Sequence, residues 1–272
     1  MVSRWHLGSK TVILSSRSDK IKRLAKLVQK TSFRSQEQAF VVEGPRSIEA
    51  ALRAKADLEA IYFATNLHGS HQSLIRTAFD RGYPVFEVES KVLESVLDPA
   101  NAQPIAAIAR IPNRSDLNRK YAGPVVVLDE LRDPGNAGTI LRSAHAVGVS
   151  SVFFLPGSVD PYNPKVVRSS AGSIFFVEVL QPQSKIDILE DLKAQGYCIL
   201  GTYSDARVLY SDADLCRPIA VVVGNEAFGI TAEVSEMVDL MVAIPTAPSL
   251  ESLNASMAAT VLLFEAMRQR GL

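Results

Sequence analysis

The most informative stretch of the chain begins with four apolar residues, Val125-Val126-Val127-Leu128, and continues as Leu131-Arg132-Asp133-Pro134-Gly135-Asn136-Ala137-Gly138-Thr139-Ile140-Leu141-Arg142-Ser143-Ala144. A short, continuously apolar run is typical of a strand buried on both faces of a parallel sheet. Asp-Pro-Gly is a turn sequence, and Asn136 is predicted to be the N-cap of the helix that follows. The stretch therefore predicts a strand, a turn and a helix, in the order that α/β folds repeat.

One face of this predicted helix is apolar. Ile140, Ala144 and Val147 recur on that face, and Gly148 is placed to end the helix. Arg142 lies off the apolar face. It is therefore expected to project from the helix at the carboxyl-terminal edge of the sheet, where open α/β folds bind their ligands. A lone surface arginine carries no functional meaning, so other segments must support such a role.

Helical periodicity and short apolar runs alternate along the whole chain, which indicates an α/β fold. In the first half, we predict helices at 20–29 and after Gly44-Pro45, and strands at 40–42, 60–63, 84–88 and 105–111. In the second half, the apolar runs lie at 125–128, 152–155, 174–179, 198–202, 219–223 and 240–244, before a last helix at about 252–270. The polar stretch 112–120 lacks periodicity and is typical of a linker. We predict a small N-terminal α/β domain at 1–112, a linker at 113–123 and a C-terminal parallel-sheet domain at 124–272.

The charge of the chain is unevenly distributed. The 272 residues contain 29 basic and 29 acidic side chains, so the formal net charge is zero. From Met1 to Arg34, however, one acid, Asp19, stands among nine basic residues, which are Arg4, Lys10, Arg17, Lys20, Lys22, Arg23, Lys26, Lys30 and Arg34. A localised basic segment favours phosphate binding, because neutralised phosphates release condensed counterions. A solvated helix face is an equally good interpretation of such a run.

Composition also bounds the cellular setting. Two cysteines, Cys198 and Cys216, are too few for a disulfide framework or a CxxC metal site, which favours a reducing compartment. No apolar run reaches the ~18 residues of a membrane span, and Thr11-Val12-Ile13-Leu14 is too short for a signal-peptide core. His68-Gly69-Ser70-His71 has loop composition without acidic or cysteine neighbours, so we expect no metal site. A cytoplasmic protein without a membrane partner is expected.

Two further segments place polar side chains where predicted strands end. Gly224-Asn225-Glu226 follows a buried apolar run, and a carboxylate in that position needs a partner. Ile244-Pro245 is followed by Glu251-Ser252-Leu253-Asn254-Ala255-Ser256, in which the polar side chains are typical of a helix N-cap. Together with 131–144, they make three strand-end clusters in one domain. Such a coincidence indicates a ligand site.

These three segments resemble the signature motifs of the SpoU/TrmH family of the SPOUT superfamily, whose members methylate ribose 2′-oxygens in rRNA and tRNA. The first motif is similar to Asn136-x-Gly138-x-x-x-Arg142, the second to Gly224-Asn225-Glu226, and the third to Ile244-Pro245 with Ser252-Leu253-Asn254. This resemblance covers 124–272. Residues 40–46, Phe-Val-Val-Glu-Gly-Pro-Arg, more weakly resemble the substrate-binding domain that precedes many members, a fold like that of certain small ribosomal proteins. No GxGxxG follows a strand, so a Rossmann-type enzyme is not supported.

The resemblance implies an S-adenosylmethionine-dependent RNA methyltransferase that dimerises through a knotted SPOUT domain. Arg142 would clamp an RNA phosphate and stabilise developing negative charge, since a guanidinium is a poor base. Glu226 would orient Arg142, and Asn136 would hold the same network. Ser252 and Asn254 would bind the ribose. By the same resemblance, the cofactor lies in a trefoil knot and is held by backbone groups of Thr202, Gly224, Ile244 and Leu253.

RNA contacts are expected from basic residues on both domains: Lys22, Arg23, Lys26, Lys30, Arg34, Arg46 and Arg168. For Arg168, a structural role is an equal alternative. The chain departs from the family pattern at Ala227, where glycine is usual, and at Thr246-Ala247-Pro248-Ser249, where methionine and glycine are usual. Because these loops would wrap the cofactor, we expect an effect on its affinity rather than a loss of activity.

Several functional alternatives stay open at this point. A site in 23S rRNA is the expected substrate, with tRNA as the other choice. A catalytically silent RNA-binding or ribosome-assembly protein would keep the same fold without turnover. A base methyltransferase of the same superfamily is disfavoured by the Ser-Leu-Asn motif.

Overall fold

The computed structural model describes residues 13–97, 102–113, 120–247, 249–250 and 252–271. The chain forms two compact units. The first comprises Met1–Pro112 and Tyr162–Arg168, and the second comprises Asn113–Pro161 and Ser169–Leu272. A short piece of the second half of the sequence is therefore part of the first unit. None of the helices in the described ranges is long and apolar enough to cross a membrane.

The first unit contains a four-stranded sheet of mixed direction. Its strands are β1 (Ala39–Glu43), β2 (Leu58–Ala64), β3 (Val85–Val88) and β4 (Ile105–Arg110), and its helices are α1 (Asp19–Gln29), α2 (Thr31–Glu37), α3 (Pro45–Arg53), α4 (Gly69–Asp80) and α5 (Ser90–Val96). The strand order is β1-β4-β2-β3, in which β4 runs antiparallel to both neighbours. Ile21, Leu24 and Leu27 recur on one face of α1 and are buried in the core over this sheet.

The second unit contains a sheet of seven parallel strands. In chain order its elements are β5 (Val125–Leu128), α6 (Pro134–Ala146), β6 (Ser151–Phe154), α7 (Pro164–Ser169, most of which belongs to the first unit), β7 (Glu178–Leu180), α8 (Lys185–Ala194), β8 (Cys198–Thr202), β9 (Val208–Leu209), β10 (Ile219–Val223), α9 (Ala232–Ser235), β11 (Leu240–Ala243) and α10 (Ala255–Gln269). The strand order is β7-β6-β5-β10-β8-β11-β9. The predicted parallel sheet is confirmed, and its central strands β5 and β10 are buried along their whole length.

Two local predictions for the second unit are wrong. The run Ile174–Val179 was expected to be one strand, but Ser173–Phe175 is a 3-10 turn and the strand begins only at Glu178. The N-cap of α6 is Asp133 rather than Asn136, because Pro134 already occupies the first helical turn and the Asp133 carboxylate accepts a hydrogen bond from the Asn136 backbone over 2.7 Å. The side chain of Asn136 therefore does not cap the helix and is available to bind other groups. Gly148, at φ +73°, follows Val147, the C-cap residue of α6, and so lies where it was expected to end the helix.

Candidate active site

Three loops that are distant in the sequence meet through Asn136, Glu226 and Asn254. The Asn136 Nδ2 donates to Oε1 of Glu226 over 3.1 Å, and the Asn254 Nδ2 donates to Oδ1 of Asn136 over 2.9 Å. The Asn136 side chain is buried, so one amide fixes both of its neighbours by donating on one side and accepting on the other. The structure thus brings together three of the side chains that the motifs predicted.

Glu226 is held as a carboxylate by donors from the first loop. Its Oε1 accepts from the backbone N–H of Asp133 over 3.0 Å, and its Oε2 accepts from that of Arg132 over 3.3 Å. Partial burial alone would raise the pKa of Glu226, but the hydrogen bonds from Asn136 and these backbone groups outweigh it and hold the pKa below its usual value. The network therefore keeps its charge throughout the neutral range and weakens only in acid, when Glu226 takes up a proton.

The loop that carries Glu226 is a tight, internally bonded turn. Asn225 and Gly229 exchange backbone hydrogen bonds of 2.8 and 2.9 Å, and the Asn225 Oδ1 accepts from the backbone of Ala227 and Phe228. At Gly224, an added Cβ would lie 2.3 Å from the backbone carbonyl carbon of Gly229. Glycine is therefore required at Gly224 for the turn to close. The Ala227 departure is accommodated, since its side chain is exposed.

A cleft of about 270 Å³ lies beside this turn. All four residues that were expected to hold a cofactor line it: Thr202, Gly224, Ile244 and Leu253. Ile230, Val242 and Leu262 add apolar walls, and Ser252 and Glu226 add polar groups. A flat apolar ring system with a charged sulfonium end needs this mixture of apolar walls and acidic rim. The residues present therefore fit S-adenosylmethionine.

The third loop is described only in part. Asn254 is the N-cap of α10, and its Oδ1 accepts from the backbone of Ser256 and Met257. The capping role expected for this segment is confirmed. Among the residues that differ from the family pattern in this loop, Thr246, Ala247 and Ser249 are exposed, whereas Pro248 lies outside the described residues. Glu251 also lies outside them.

Arg142 takes no part in this network. It lies on the exposed side of α6, and its guanidinium has no hydrogen-bond or ion-pair partner among the residues that the structure describes. The predicted contact from Glu226 to Arg142 is wrong within one chain, because Asn136 and two backbone N–H groups occupy that carboxylate. Asn136 is buried on α6 while Arg142, six residues later, faces away from it.

Six of the seven basic residues expected to bind RNA fall into three groups. Lys26, Lys30 and Arg46 are exposed and make no ion pair within the described ranges, and Lys22 is exposed beside Asp19. Arg23 is neutralised by Glu37 and Glu59, at 2.9 and 2.6 Å. Arg168, at the end of α7, is half-buried. Of the nine N-terminal basic residues, Arg4 and Lys10 lie outside the described residues.

Arg34 was expected to bind RNA, but the structure buries it. Its side chain is 2% exposed, and its guanidinium donates to the backbone carbonyls of Leu27 and Val28 and to the Thr31 hydroxyl. A guanidinium used in this way closes the end of α1 and cannot reach a phosphate. Arg34 is therefore a structural residue, although its sequence position gave no sign of burial.

Sequence reasoning missed a charge cluster behind the site. The Lys185 Nζ lies 3.2 Å from Asp129, 3.0 Å from Glu130 and 2.9 Å from Glu233, and the lysine side chain is only 9% exposed. Burial alone would lower the pKa of Lys185, but these carboxylates outweigh it and raise that pKa. The two acidic residues directly after β5, Asp129 and Glu130, could have indicated a buried charge that needs a partner. Lys185 lies in no motif, so the sequence did not identify it as that partner.

The histidines and cysteines that the structure describes take no part in the network around Glu226. His145 is exposed on α6, where its ring stacks on Phe176 with the centroids 4.6 Å apart. His68 caps α4, so the segment expected to be a loop begins a helix. Cys198 is buried and Cys216 is exposed, and both are free thiols. No group of three or more potential metal ligands occurs within the described ranges.

Comparison with protein families adds independent information. Residues 123–264 match the model of the SpoU rRNA Methylase family, and residues 18–107 match the MRM3-like substrate binding domain. The chain is 33% identical to an uncharacterized tRNA/rRNA methyltransferase of Synechocystis over 95% of its own length and 94% of that relative's. It is 29% identical to the 23S rRNA (guanosine(2553)-2′-O)-methyltransferase RlmP of Bacillus subtilis, over 93% of its own length and 97% of that enzyme's.

A solved structure has the same architecture. The SpoU methyltransferase AviRb from Streptomyces viridochromogenes, in complex with the cofactor AdoMet, superimposes with a TM-score of 0.82 at 27% sequence identity. The match covers 93% of this chain and 99% of AviRb. Both units of the chain therefore have counterparts in one solved protein.

Proposed function

Because the chain belongs to the SpoU rRNA methylase family, we propose that it transfers the methyl group of S-adenosylmethionine to a ribose 2′-hydroxyl of RNA, with 23S rRNA in the cytoplasm as the substrate. The observation that carries the proposal is the hydrogen-bonded meeting of Asn136, Glu226 and Asn254 at the rim of the cleft. The AdoMet-bound relative and the 23S rRNA relative support the cofactor and the substrate class. By its family, we also propose that the polypeptide is knotted around the cleft.

The chemistry requires a hydroxyl oxygen in line with an electrophilic methyl group, which S-adenosylmethionine supplies when bound. The chain has to place that oxygen and to stabilise the charge that develops on it. In our proposal, Ser252 and Asn254 hold the ribose, while Asn136 and Glu226 fix Asn254 and the turn 225–229. Arg142 clamps the adjacent phosphate, and a phosphate oxygen or a water accepts the proton, since a guanidinium does so poorly.

Arg142 is proposed to act in the site of a partner subunit. Arg142 is exposed on α6 and takes no part in the network of its own chain, and α6 is joined to α10 by a 2.7 Å contact between Ser143 and Thr260. α10 carries Met257 and Phe264, which are 60% and 42% exposed. In our proposal, these two side chains and Arg142 share one face. A symmetric pair formed through it would bury the apolar side chains and bring each Arg142 to the other subunit. This proposal accounts for an arginine in a family motif that has no partner among the described residues of its own chain.

A basic surface on α1 is proposed to capture the RNA, so replacing both Lys26 and Lys30 with alanine should weaken RNA binding about tenfold at moderate salt. Each lost phosphate contact should also lower the slope of log K against log salt concentration by about 0.7 to 0.9. Filter binding at several salt concentrations measures both quantities. Lys55→Asn, which removes an exposed lysine outside α1, is the matched control and should leave the slope unchanged. An unchanged slope in the double variant would place the RNA surface elsewhere.

Glu226→Gln should weaken S-adenosylmethionine binding about tenfold, toward the lower end of what hydrogen bonds to charged groups contribute, because Glu226 is exposed. A glutamine has one acceptor oxygen in place of two, so it could accept from Asn136 and Asp133 as Oε1 does, but its amide NH₂ would then face the backbone N–H of Arg132. The turn that lines the cleft would loosen. Isothermal titration calorimetry measures the affinity, with Glu236→Gln, at an exposed glutamate on the end of α9, as the control. Equal affinity in both variants would show that Glu226 does not organise the cleft.

The proposed function is tested by incubating the protein with S-adenosylmethionine labelled in the methyl group and with total RNA from a strain that lacks the gene. We expect label in 23S rRNA at a ribose that resists alkaline hydrolysis. Label in tRNA alone would correct the substrate. Cofactor binding without transfer to any RNA would indicate the catalytically silent alternative.

A further inference from the structure

The segments that follow the strands beside the cleft carry exposed apolar side chains that the network around Glu226 does not use. Phe228 is 86% exposed, the highest value among the large hydrophobic side chains that the structure describes, and Tyr203 and Leu250 are 60% and 48% exposed. They follow β10, β8 and β11, which are neighbours in the sheet. Single exposed apolar residues are common, but three on the segments that follow three neighbouring strands, with Tyr203 lining the cleft itself, indicate an interaction surface.

Phe228 is presented by a preformed loop. The hydrogen bonds between Asn225 and Gly229 close the turn, and the Asn225 Nδ2 ties it to the backbone carbonyl of Glu130 over 2.9 Å. An aromatic ring on a fixed loop loses little conformational entropy when it binds. The loop is therefore suited to hold an exposed ring in place for a partner rather than to bury it in the chain itself.

We propose that Phe228 stacks on a nucleobase of the RNA, at or next to the nucleotide whose ribose is methylated. The inference rests on the proposed function and adds a residue that recognises the substrate. Phe228 is two residues from Glu226, whose carboxylate holds Asn136, and Asn136 in turn accepts from Asn254, which is expected to hold the ribose. The turn that carries the ring therefore adjoins the proposed ribose site. A ribose placed there brings its own base and the flanking bases within one nucleotide of the ring. Unpaired bases are commonly bound by stacking on aromatic side chains.

The chemistry of the loop favours a base over a phosphate. The charged side chain next to Phe228 in the turn is the Glu226 carboxylate, which repels phosphate but tolerates the neutral face of a base. Tyr203 provides a second exposed ring on the segment after β8 and lines the same cleft. The other occupants to be distinguished are the adenine of the methyl donor and a second copy of the chain.

Steady-state kinetics on unmodified 23S rRNA transcribed in vitro test the proposal. Phe228→Leu keeps an apolar side chain but removes the ring, and it should raise the KM for RNA about 5- to 150-fold, the range expected from losing one base stack. Phe228→Trp should keep the KM near that of the wild type. The affinity for S-adenosylmethionine and the mass measured by sedimentation should not change. An unaltered KM in Phe228→Leu, an equal loss of cofactor affinity, or a changed mass would each overturn the proposal.

A binding experiment without turnover separates this inference from the proposed function. The chain has one tryptophan, Trp5, so Phe228→Trp in a Trp5→Phe background places a fluorophore on the turn alone. A ten-nucleotide single-stranded RNA of mixed sequence, added with S-adenosylhomocysteine, should quench its fluorescence. An oligomer of the same length without bases should not. No quenching, or equal quenching by both, would exclude stacking, whether or not the protein methylates any RNA.

Discussion

Arg142→Ala should lower the rate constant of methyl transfer at saturating RNA by about 10²- to 10³-fold, the effect of removing one charge-stabilising group from an active site. Arg142 is exposed and has no described partner within its chain, so its removal costs the folded chain no known contact. Binding of S-adenosylmethionine and the melting temperature should therefore stay at the wild-type values. A single-turnover assay with saturating RNA measures the chemical step.

Arg142→Lys provides the conservative control for this prediction. Lysine keeps the charge but lacks the planar pair of donors that binds a phosphate on two oxygens, so we expect only partial activity. Wild-type activity in Arg142→Ala would remove Arg142 from the mechanism. If Arg142→Ala lost affinity for S-adenosylmethionine by the same factor as it lost methyl-transfer rate, the arginine would instead organise the cleft.

Mixing variants tests whether Arg142 serves the partner subunit. Asn136→Ala breaks the network that joins Glu226 to Asn254, and Arg142→Ala removes the proposed phosphate clamp, so neither protein should be active alone. When equal amounts are unfolded and refolded together, about half of the dimers should be mixed, each with one intact site, which restores about a quarter of the wild-type rate. No recovery would mean that Arg142 acts in its own chain.

The parallel sheet was predictable because burial on both faces leaves a plain signal. The apolar runs at Val125–Leu128, Cys198–Thr202 and Ile219–Val223 are strands with the predicted ends. The run Ile174–Val179 misled because an apolar sequence does not by itself distinguish a strand from a buried turn. The N-cap of α6 was misplaced because Asp133 and Asn136 have similar intrinsic preference, and the position of Pro134 decided between them.

The side chains of the candidate site were predictable from the motifs, but their contacts were not. Residue types and spacing placed Asn136, Glu226 and Asn254 at one sheet edge, where the structure joins them. The motifs could not show that backbone N–H groups donate to the Glu226 carboxylate, because the direction of a side chain depends on tertiary packing. The burial of Arg34 has the same origin, because a basic run reports charge and not which members face inward.

Lys185→Met should destabilise the second unit by about 3 kcal/mol, the low end for removing one partner of a buried ion pair, because two of the three carboxylates reach solvent. Asp129 is fully buried, and the backbone and hydroxyl of Thr231 donate to it at 2.7 and 2.8 Å. Without the lysine, that carboxylate would remain buried with its charge uncompensated. A fall of about 6 to 12 °C in the melting temperature should follow for a unit of this size.

Lys185→Met should also affect the cleft, because residues of the Lys185 cluster hold both ends of the loop 225–231, which lines the cleft. Asp129 binds Thr231 at one end, and the backbone carbonyl of Glu130 accepts from Asn225 at the other. We therefore expect a raised KM for S-adenosylmethionine at temperatures where the protein is still folded. Lys193→Met is the matched control on the same helix, since its pair with Asp239 is partly exposed and should contribute less than about 1 kcal/mol. Thermal unfolding followed by circular dichroism gives the stabilities, and equal melting temperatures for the two variants would refute a supporting role for Lys185.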